Sequence, residues 1–338
     1  MACWFFAMKE LTAIVAALLD PAAEPGVLAT LVSVEGSSYR RPGARLLVRS
    51  NHSRIGSISG GCLEEDVMAR AAKVFGTGEP DAVVYDTTSE NDLVWGVGLG
   101  CHGVVRVLLE KVPPRPPWAA ALSTGFLRRR ATALATRYGG DNRSEWGTRL
   151  AAPGDCPDPE TLFLQMIAPP NALIIFGAGD DAVPLARMAK EIGWQVTVAD
   201  PRAAFATAER FPFADTLVSS PAEALVERVK PGPDALAVVM THHYVHDVPI
   251  LRDLLQRPLG YLGLLGPRKR AHKILDDLGA AGRKVTAKER ERLHAPVGLD
   301  LGADSPEQVA LSIVAEIQAT IAGRNARPLR ERMRPIHA

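Results

Sequence analysis

Apolar residues recur along this chain at two spacings, and their arrangement changes near its middle. Ile14, Val15, Leu18 and Leu19 fall on one helical stripe, which predicts an amphipathic first helix. Residues 26–34 are rich in β-branched side chains and predict a strand, as do residues 45–49 and 55–59. A helix is expected over 63–75, with Glu64, Glu65 and Asp66 in its first turn, then strands at 83–86 and 104–109. Pro113, Pro114, Pro116 and Pro117 interrupt both periodicities and mark a boundary. Residues 122–130 read as a helix, and 132–138 and 162–167 as strands that complete the first domain.

Beyond Pro169-Pro170, strands and helices alternate. Strands are expected at 173–176, 195–199, 216–218, 236–240 and 261–265, with helices at 182–192, 221–229 and 248–255 between them. Such alternation implies a parallel, doubly wound sheet. Ser305, Pro306 and Gln308 spell a capping box before a last helix with Val309, Ile313, Ile317 and Ile321 as its stripe. The fold class expected is α/β, an N-terminal α+β domain followed by a C-terminal Rossmann-like doubly wound domain. The boundaries fall at 1–112, a Pro-rich connection with closing strands at 113–169, the Rossmann-like domain at 170–323, and a tail at 324–338.

Composition narrows this picture. The 338 residues, at roughly 150 per domain, suit two domains. With 39 basic and 38 acidic side chains, the net charge of +1 gives no global pull toward nucleic acid or anionic lipid. No segment approaches the roughly 20 apolar residues that span a bilayer, and Lys9 and Glu10 break the apolar start as no signal peptide would. Met8 is an alternative start, which would make residues 1–7 an extension. Cys3, Cys62, Cys101 and Cys156 are too sparse for a disulfide scaffold, and the chain reads as cytoplasmic.

Several motifs carry candidate chemistry, each with a structural alternative. Gly177-Ala178-Gly179 follows a strand and opens a helix, and Asp200 ends the next strand, as in a dinucleotide fingerprint. The same turn also serves merely to pack a sheet, and Asp180 and Asp181 oppose an anionic ligand there. Gly60-Gly61-Cys62 places a thiol at a helix start, which favours thiolate, while the acidic first turn opposes it. Cys101-His102-Gly103 ends a second glycine-rich loop; the two thiols suit a soft metal or sulfur relay, or are unrelated buried cysteines. His242, His243, His246 and Asp247 offer zinc or iron ligands or an ordinary helix cap. Gly266-Pro267-Arg268-Lys269-Arg270 suits a phosphate clamp or a solvated helix start, and Arg40, Arg41 and Arg45 read in the same two ways.

Together these motifs resemble the XdhC/CoxI family, accessory proteins of xanthine dehydrogenase and carbon monoxide dehydrogenase. The matching segments include Gly56-Ser57-Ile58-Ser59-Gly60-Gly61-Cys62-Leu63-Glu64, Gly98-Leu99-Gly100-Cys101, Asp200-Pro201-Arg202, Thr241-His242 and Ala295-Pro296-Val297-Gly298-Leu299-Asp300-Leu301-Gly302-Ala303. Tyr39, His102, Asp180, His243 and Pro267 depart from the residues common there. The resemblance implies a chaperone that holds the molybdenum cofactor (molybdopterin) during sulfuration and passes it to an apo xanthine or carbon monoxide dehydrogenase. Its partners would be that molybdoenzyme and a cysteine desulfurase, with a homodimer left open. Cys62 and Cys101 match family cysteines, and either would meet molybdenum. Candidate cofactor contacts are Gly60, Gly61, Gly177, Gly179, Asp200, Arg202, Gly266 and Arg268. The competing reading is an NAD(P)-dependent oxidoreductase built on Gly177, Gly179 and Asp200, with His242 or Tyr244 near the chemistry. Nothing in the sequence resembles the iron–sulfur, flavin or molybdenum architecture of the large dehydrogenases themselves.

Overall fold

The computed structural model describes residues 4–6, 9–86, 88 and 103–333. They fall into two compact units, residues 1–170 and 171–338. In the first unit a short strand β1 (Trp4–Phe6) precedes α1 (Lys9–Leu19), β2 (Gly26–Gly36), β3 (Arg45–Arg49), β4 (Arg54–Gly56), α2 (Glu64–Thr77), β5 (Asp81–Asp86) and β6 (Gly103–Val112). Then come α3 (Pro117–Leu127), β7 (Thr132–Arg137), β8 (Gly147–Leu150) and β9 (Leu162–Ala168).

A five-stranded antiparallel sheet runs β4-β3-β2-β6-β5, and a four-stranded sheet runs β1-β9-β7-β8. Strand β2 is apolar on both sides because both faces of its sheet are covered. Val27, Ala29 and Leu31 pack with Val67, Ala71 and Val74 of α2. On the opposite face Leu28 packs with Ile14 and Leu18 of α1, Trp118 and Leu122 of α3, and Leu134 and Ile167 of the second sheet. The prolines at 113–117 open α3, with Pro117 at its first position, where the missing N–H removes no helical bond. Strand β4 is shorter than expected, because Gly56 turns away at φ +91° against the Arg45 carbonyl.

The second unit comprises β10 (Ala172–Phe176), α4 (Ala182–Glu191), β11 (Gln195–Asp200), β12 (Thr216–Ser219), α5 (Ala222–Val229) and β13 (Leu236–Val239). It continues with α6 (Tyr244–Leu254), β14 (Tyr261–Leu264), α7 (Arg268–Ala280), α8 (Ala287–Glu291), β15 (Leu293–His294) and α9 (Pro306–Ile321). The sheet order is β12-β11-β10-β13-β14-β15, and every pairing is parallel. Leu173, Ile175, Val196 and Val238 pack with α4 and α9 on one face. Ile174, Phe176, Val239 and Leu264 pack with α5, α6 and α7 on the other. This is the doubly wound arrangement. The order reverses on either side of β10, so the loops after β10 and β13 flank the crevice where such sheets bind ligands.

Helix α6 begins at Tyr244, four residues before the expected start, and contains Pro249. The carbonyl that this proline leaves without a helical donor belongs to the exposed Val245. The α9 capping box is present, with Ser305 accepting from the Gln308 N–H and Gln308 reaching back to the cap.

Candidate functional site

In the first unit, the loop between β4 and α2 carries Gly60, Gly61 and Cys62. It is organised by Glu64, a buried carboxylate in the first turn of α2. Glu64 accepts from the Ser57 hydroxyl at 2.8 Å, from the Ser59 N–H at 3.1 Å and from the Ser59 hydroxyl. The Ser59 oxygen in turn accepts from the N–H groups of Gly61 and Leu63, at 3.2 and 3.1 Å. Burial pushes the Glu64 carboxyl up, but the Ser59 and Ser57 hydrogen bonds outweigh it and hold it below its ordinary range. Gly61 adopts φ +115° with no neighbour within 4 Å of a side chain it might carry. Cys62 is half-buried, with a free thiol at the edge of the α2 core. Cys101 and His102 lie outside the described residues.

The basic cluster expected at Arg40, Arg41 and Arg45 is not one surface. Arg45 is 1% exposed, since it shares a face of β3 with Leu47 and points into the core. Its Nη1 donates to the Gly43 carbonyl at 2.9 Å and to Gln165 of β9 at 2.8 Å. Burial lowers this guanidinium to about 10, against the upward pull of the Glu110 carboxylate. Arg40 pairs with Glu10 of α1 at 3.0 Å.

In the second unit the charged groups at the crevice are engaged by one another. Gly177, at φ +125°, brings the turn after β10 against the Met240 carbonyl, where any side chain would collide. The Ala178 N–H donates to Asp200 at 2.7 Å, and Arg202 grips the same carboxylate through Nε and Nη2, both at 2.9 Å. The Arg202 N–H adds a fourth bond at 2.8 Å. Burial raises the Asp200 carboxyl, but Arg202 and the two N–H groups outweigh it and keep it low. The four acceptor positions of a carboxylate are thus all engaged. Arg210 donates to the Ala178 carbonyl at 2.9 Å and to Asp180 at 2.7 Å, and the Phe205 ring lies 3.9 Å from the Arg202 guanidinium. Asp181 takes His242, whose Nε2 lies 2.7 Å from its Oδ2. Of the two carboxylates expected to repel an anion, Asp180 is thus paired with Arg210 and Asp181 is hydrogen-bonded to His242.

His242 holds φ +60°, the left-handed region, which is uncommon for residues other than glycine. The following residues do not converge on a metal. Asp247 is buried and accepts from Thr241 at 2.5 Å and from the Nε of Arg270 at 3.0 Å. His243 and His246 contact each other through their rings at 5.4 Å. Among the described residues, no group of three or more His, Cys, Asp or Glu side chains is placed to hold a metal ion. Arg270 serves Asp247 rather than a phosphate, which leaves Arg268 and Lys269 exposed in the first turn of α7, just past Gly266 at φ +127°.

Gly177, Gly179, Asp200, Arg202 and His242 thus meet at one strand edge, with Gly266 and Arg268 at the end of β14. Gly60, Gly61 and Cys62 form their own loop in the first unit. Glu64, Asp247 and Arg270 organise these loops in roles other than those their motifs suggested, and Arg210 does so without having been singled out by sequence. Arg210 lies 32 residues from the carbonyl it binds, and no local pattern marks that distance.

Known proteins share this architecture. A family model described as the XdhC and CoxI family matches residues 20–86, and one described as the XdhC Rossmann domain matches residues 173–317. The chain is 35% identical over 317 residues to a Bacillus subtilis (strain 168) protein named as a probable xanthine dehydrogenase subunit, covering 88% of this chain and 93% of the relative. The chain belongs to the XdhC/CoxI family. It is also similar to the molybdenum cofactor insertion chaperone PaoD of Escherichia coli (strain K12), 26% identical over 297 residues, covering 86% of this chain and 82% of that protein. A crystal structure of a xanthine dehydrogenase from Bacillus halodurans superposes with a TM-score of 0.79 at 30% identity, covering 95% of this XdhC/CoxI chain and 99% of the other. No helix among the described residues is long and apolar enough to cross a membrane.

Proposed function

We propose that this protein is a molybdenum-cofactor chaperone, which binds the pterin cofactor as cargo beside Cys62 while it is sulfurated. It then delivers the cofactor to an apo xanthine dehydrogenase-type molybdoenzyme in the cytoplasm, with a cysteine desulfurase as sulfur source. The observation that carries this reading is the free Cys62 thiol, half-buried beside the open backbone of Gly61 in a loop that Glu64 holds through Ser57 and Ser59. A thiolate is a soft donor suited to molybdenum, and glycine neighbours leave room for a bulky ligand. The similarity to an insertion chaperone supports the same role. Cys101 would supply the second thiol. The second unit would contribute a phosphate site of its own at Gly266 and Arg268, through the exposed Arg268 guanidinium, while Asp200 and Arg202 already bind each other. The NAD(P) alternative gains no observation, because Asp200 is engaged by Arg202 and Ala178 instead of awaiting a ribose.

The test is purification from a molybdenum-replete host lacking the client enzyme, followed by assay of bound pterin and molybdenum. Wild type is expected to carry both, and Cys62→Ser and Cys101→Ser to lose most of the molybdenum. Wild-type protein free of pterin would overturn the reading.

A further inference from the structure

Tyr39 stands apart from every feature used so far. At 67% exposure it is the most exposed aromatic residue among those whose side chains are described; Phe205 and Phe213, at 37%, come next among the exposed ones. It has no hydrogen-bond partner among the described residues, yet its surroundings are ordered. Arg40 is anchored to Glu10 at 3.0 Å. The Gly43 N–H reaches the Leu31 carbonyl at 2.7 Å, and the Ala44 N–H reaches the Arg41 carbonyl at 3.1 Å. The chain that follows Tyr39 is therefore tied to α1 and to β2.

What the ring rests on is the Cys62 loop. Three consecutive ring carbons of Tyr39 (Cγ, Cδ1 and Cε1) lie 3.5–3.7 Å from the point where a side chain at Gly60 would begin. The ring therefore lies beside Gly60, and the space beside Gly61 is open. A solvent-facing aromatic ring beside open backbone is an arrangement that can stack flat heterocycles, because every such ring presents a π-face. Two residues of chain, at most about 7 Å, separate the α-carbons of Gly60 and Cys62.

We propose that Tyr39 is a stacking platform for the flat pterin ring of the molybdenum cofactor, so that the cofactor is gripped at two points, its ring on Tyr39 and its metal end at Cys62. This rests on the chaperone reading above and adds to it a ring-binding residue. The carbon ring makes the contact, so the hydroxyl contributes little. The platform involves no bond making or electron transfer.

The experiment measures the affinity of the full chain for molybdenum cofactor released from a purified molybdoenzyme, with wild type, Tyr39→Ala, Tyr39→Phe and Cys62→Ser compared. Tyr39→Ala is expected to bind about tenfold more weakly, and Tyr39→Phe to stay within about twofold of wild type. The pterin absorption band should shift on binding to wild type and Tyr39→Phe but not to Tyr39→Ala. Because Tyr39 is exposed, the thermal midpoints of all three proteins should coincide, which separates lost stacking from lost folding. If wild type binds and Cys62→Ser weakens binding while Tyr39→Ala binds as wild type does, the platform is refuted and the chaperone reading stands. If wild type does not bind the cofactor, both fall together.

Discussion

Glu64 shows how one side chain can fix a loop that has no regular structure. Its carboxylate collects two serine hydroxyls and a backbone N–H, and Ser59 passes the restraint on to Gly61 and Leu63. Replacing it with glutamine should cost about 1–3 kcal/mol, because buried partners lose a charged acceptor. The pH dependence follows from the lowered carboxyl. A carboxyl held below its ordinary 4.5 stabilises the fold above that pH and loses the contribution as pH falls through the folded value. Thermal melts of wild type should therefore drop more steeply on acidification below pH 4.5 than those of Glu64→Gln. A parallel acid limb in both proteins would refute this. The Gly-Gly-Cys motif was legible in sequence because its meaning is local, a thiol after residues without side chains. The burial of Arg45 was not, since its partner Gln165 lies 120 positions away and the neighbouring Arg40 and Arg41 suggest a surface.

Among elements, α7 separates two kinds of arginine within one turn. Arg270 neutralises the buried Asp247 carboxylate, whereas Arg268 faces solvent. Arg270→Met should destabilise the second unit by about 3–5 kcal/mol, since it strands a buried charge. Arg268→Met should stay within about 0.5 kcal/mol. Urea melts of the two variants make the comparison directly. At α9, Ser305→Ala should lower stability by about 1 kcal/mol through loss of the cap. That helix was legible because its start is written in adjacent residues, and β3 because its apolar run ends at clear turns. Strands β8 and β15 and helix α8 were not. They are short and half-exposed or more exposed, so they carry too little periodicity to announce themselves, and neighbouring strands rather than their own sequence define β8 and β15.

For the whole molecule, the two units each hold their own apolar clusters and are large enough to fold alone. Residues 171–338 expressed separately should unfold in one cooperative transition by circular dichroism; a gradual, dye-binding transition would contradict that. The alternation of strands and helices made this half legible from sequence as a doubly wound sheet. The state of its crevice was hidden, because Asp200 as a lone carboxylate at a strand end looks the same whether it awaits a ligand or is already engaged. The difference has a measurable form. The Ala178 amide lies in a loop, where backbone hydrogens normally trade with solvent quickly, yet its proton is held by a carboxylate buried beneath the turn. In deuterated buffer it should exchange as slowly as the strands on either side, surfacing only when the unit itself opens.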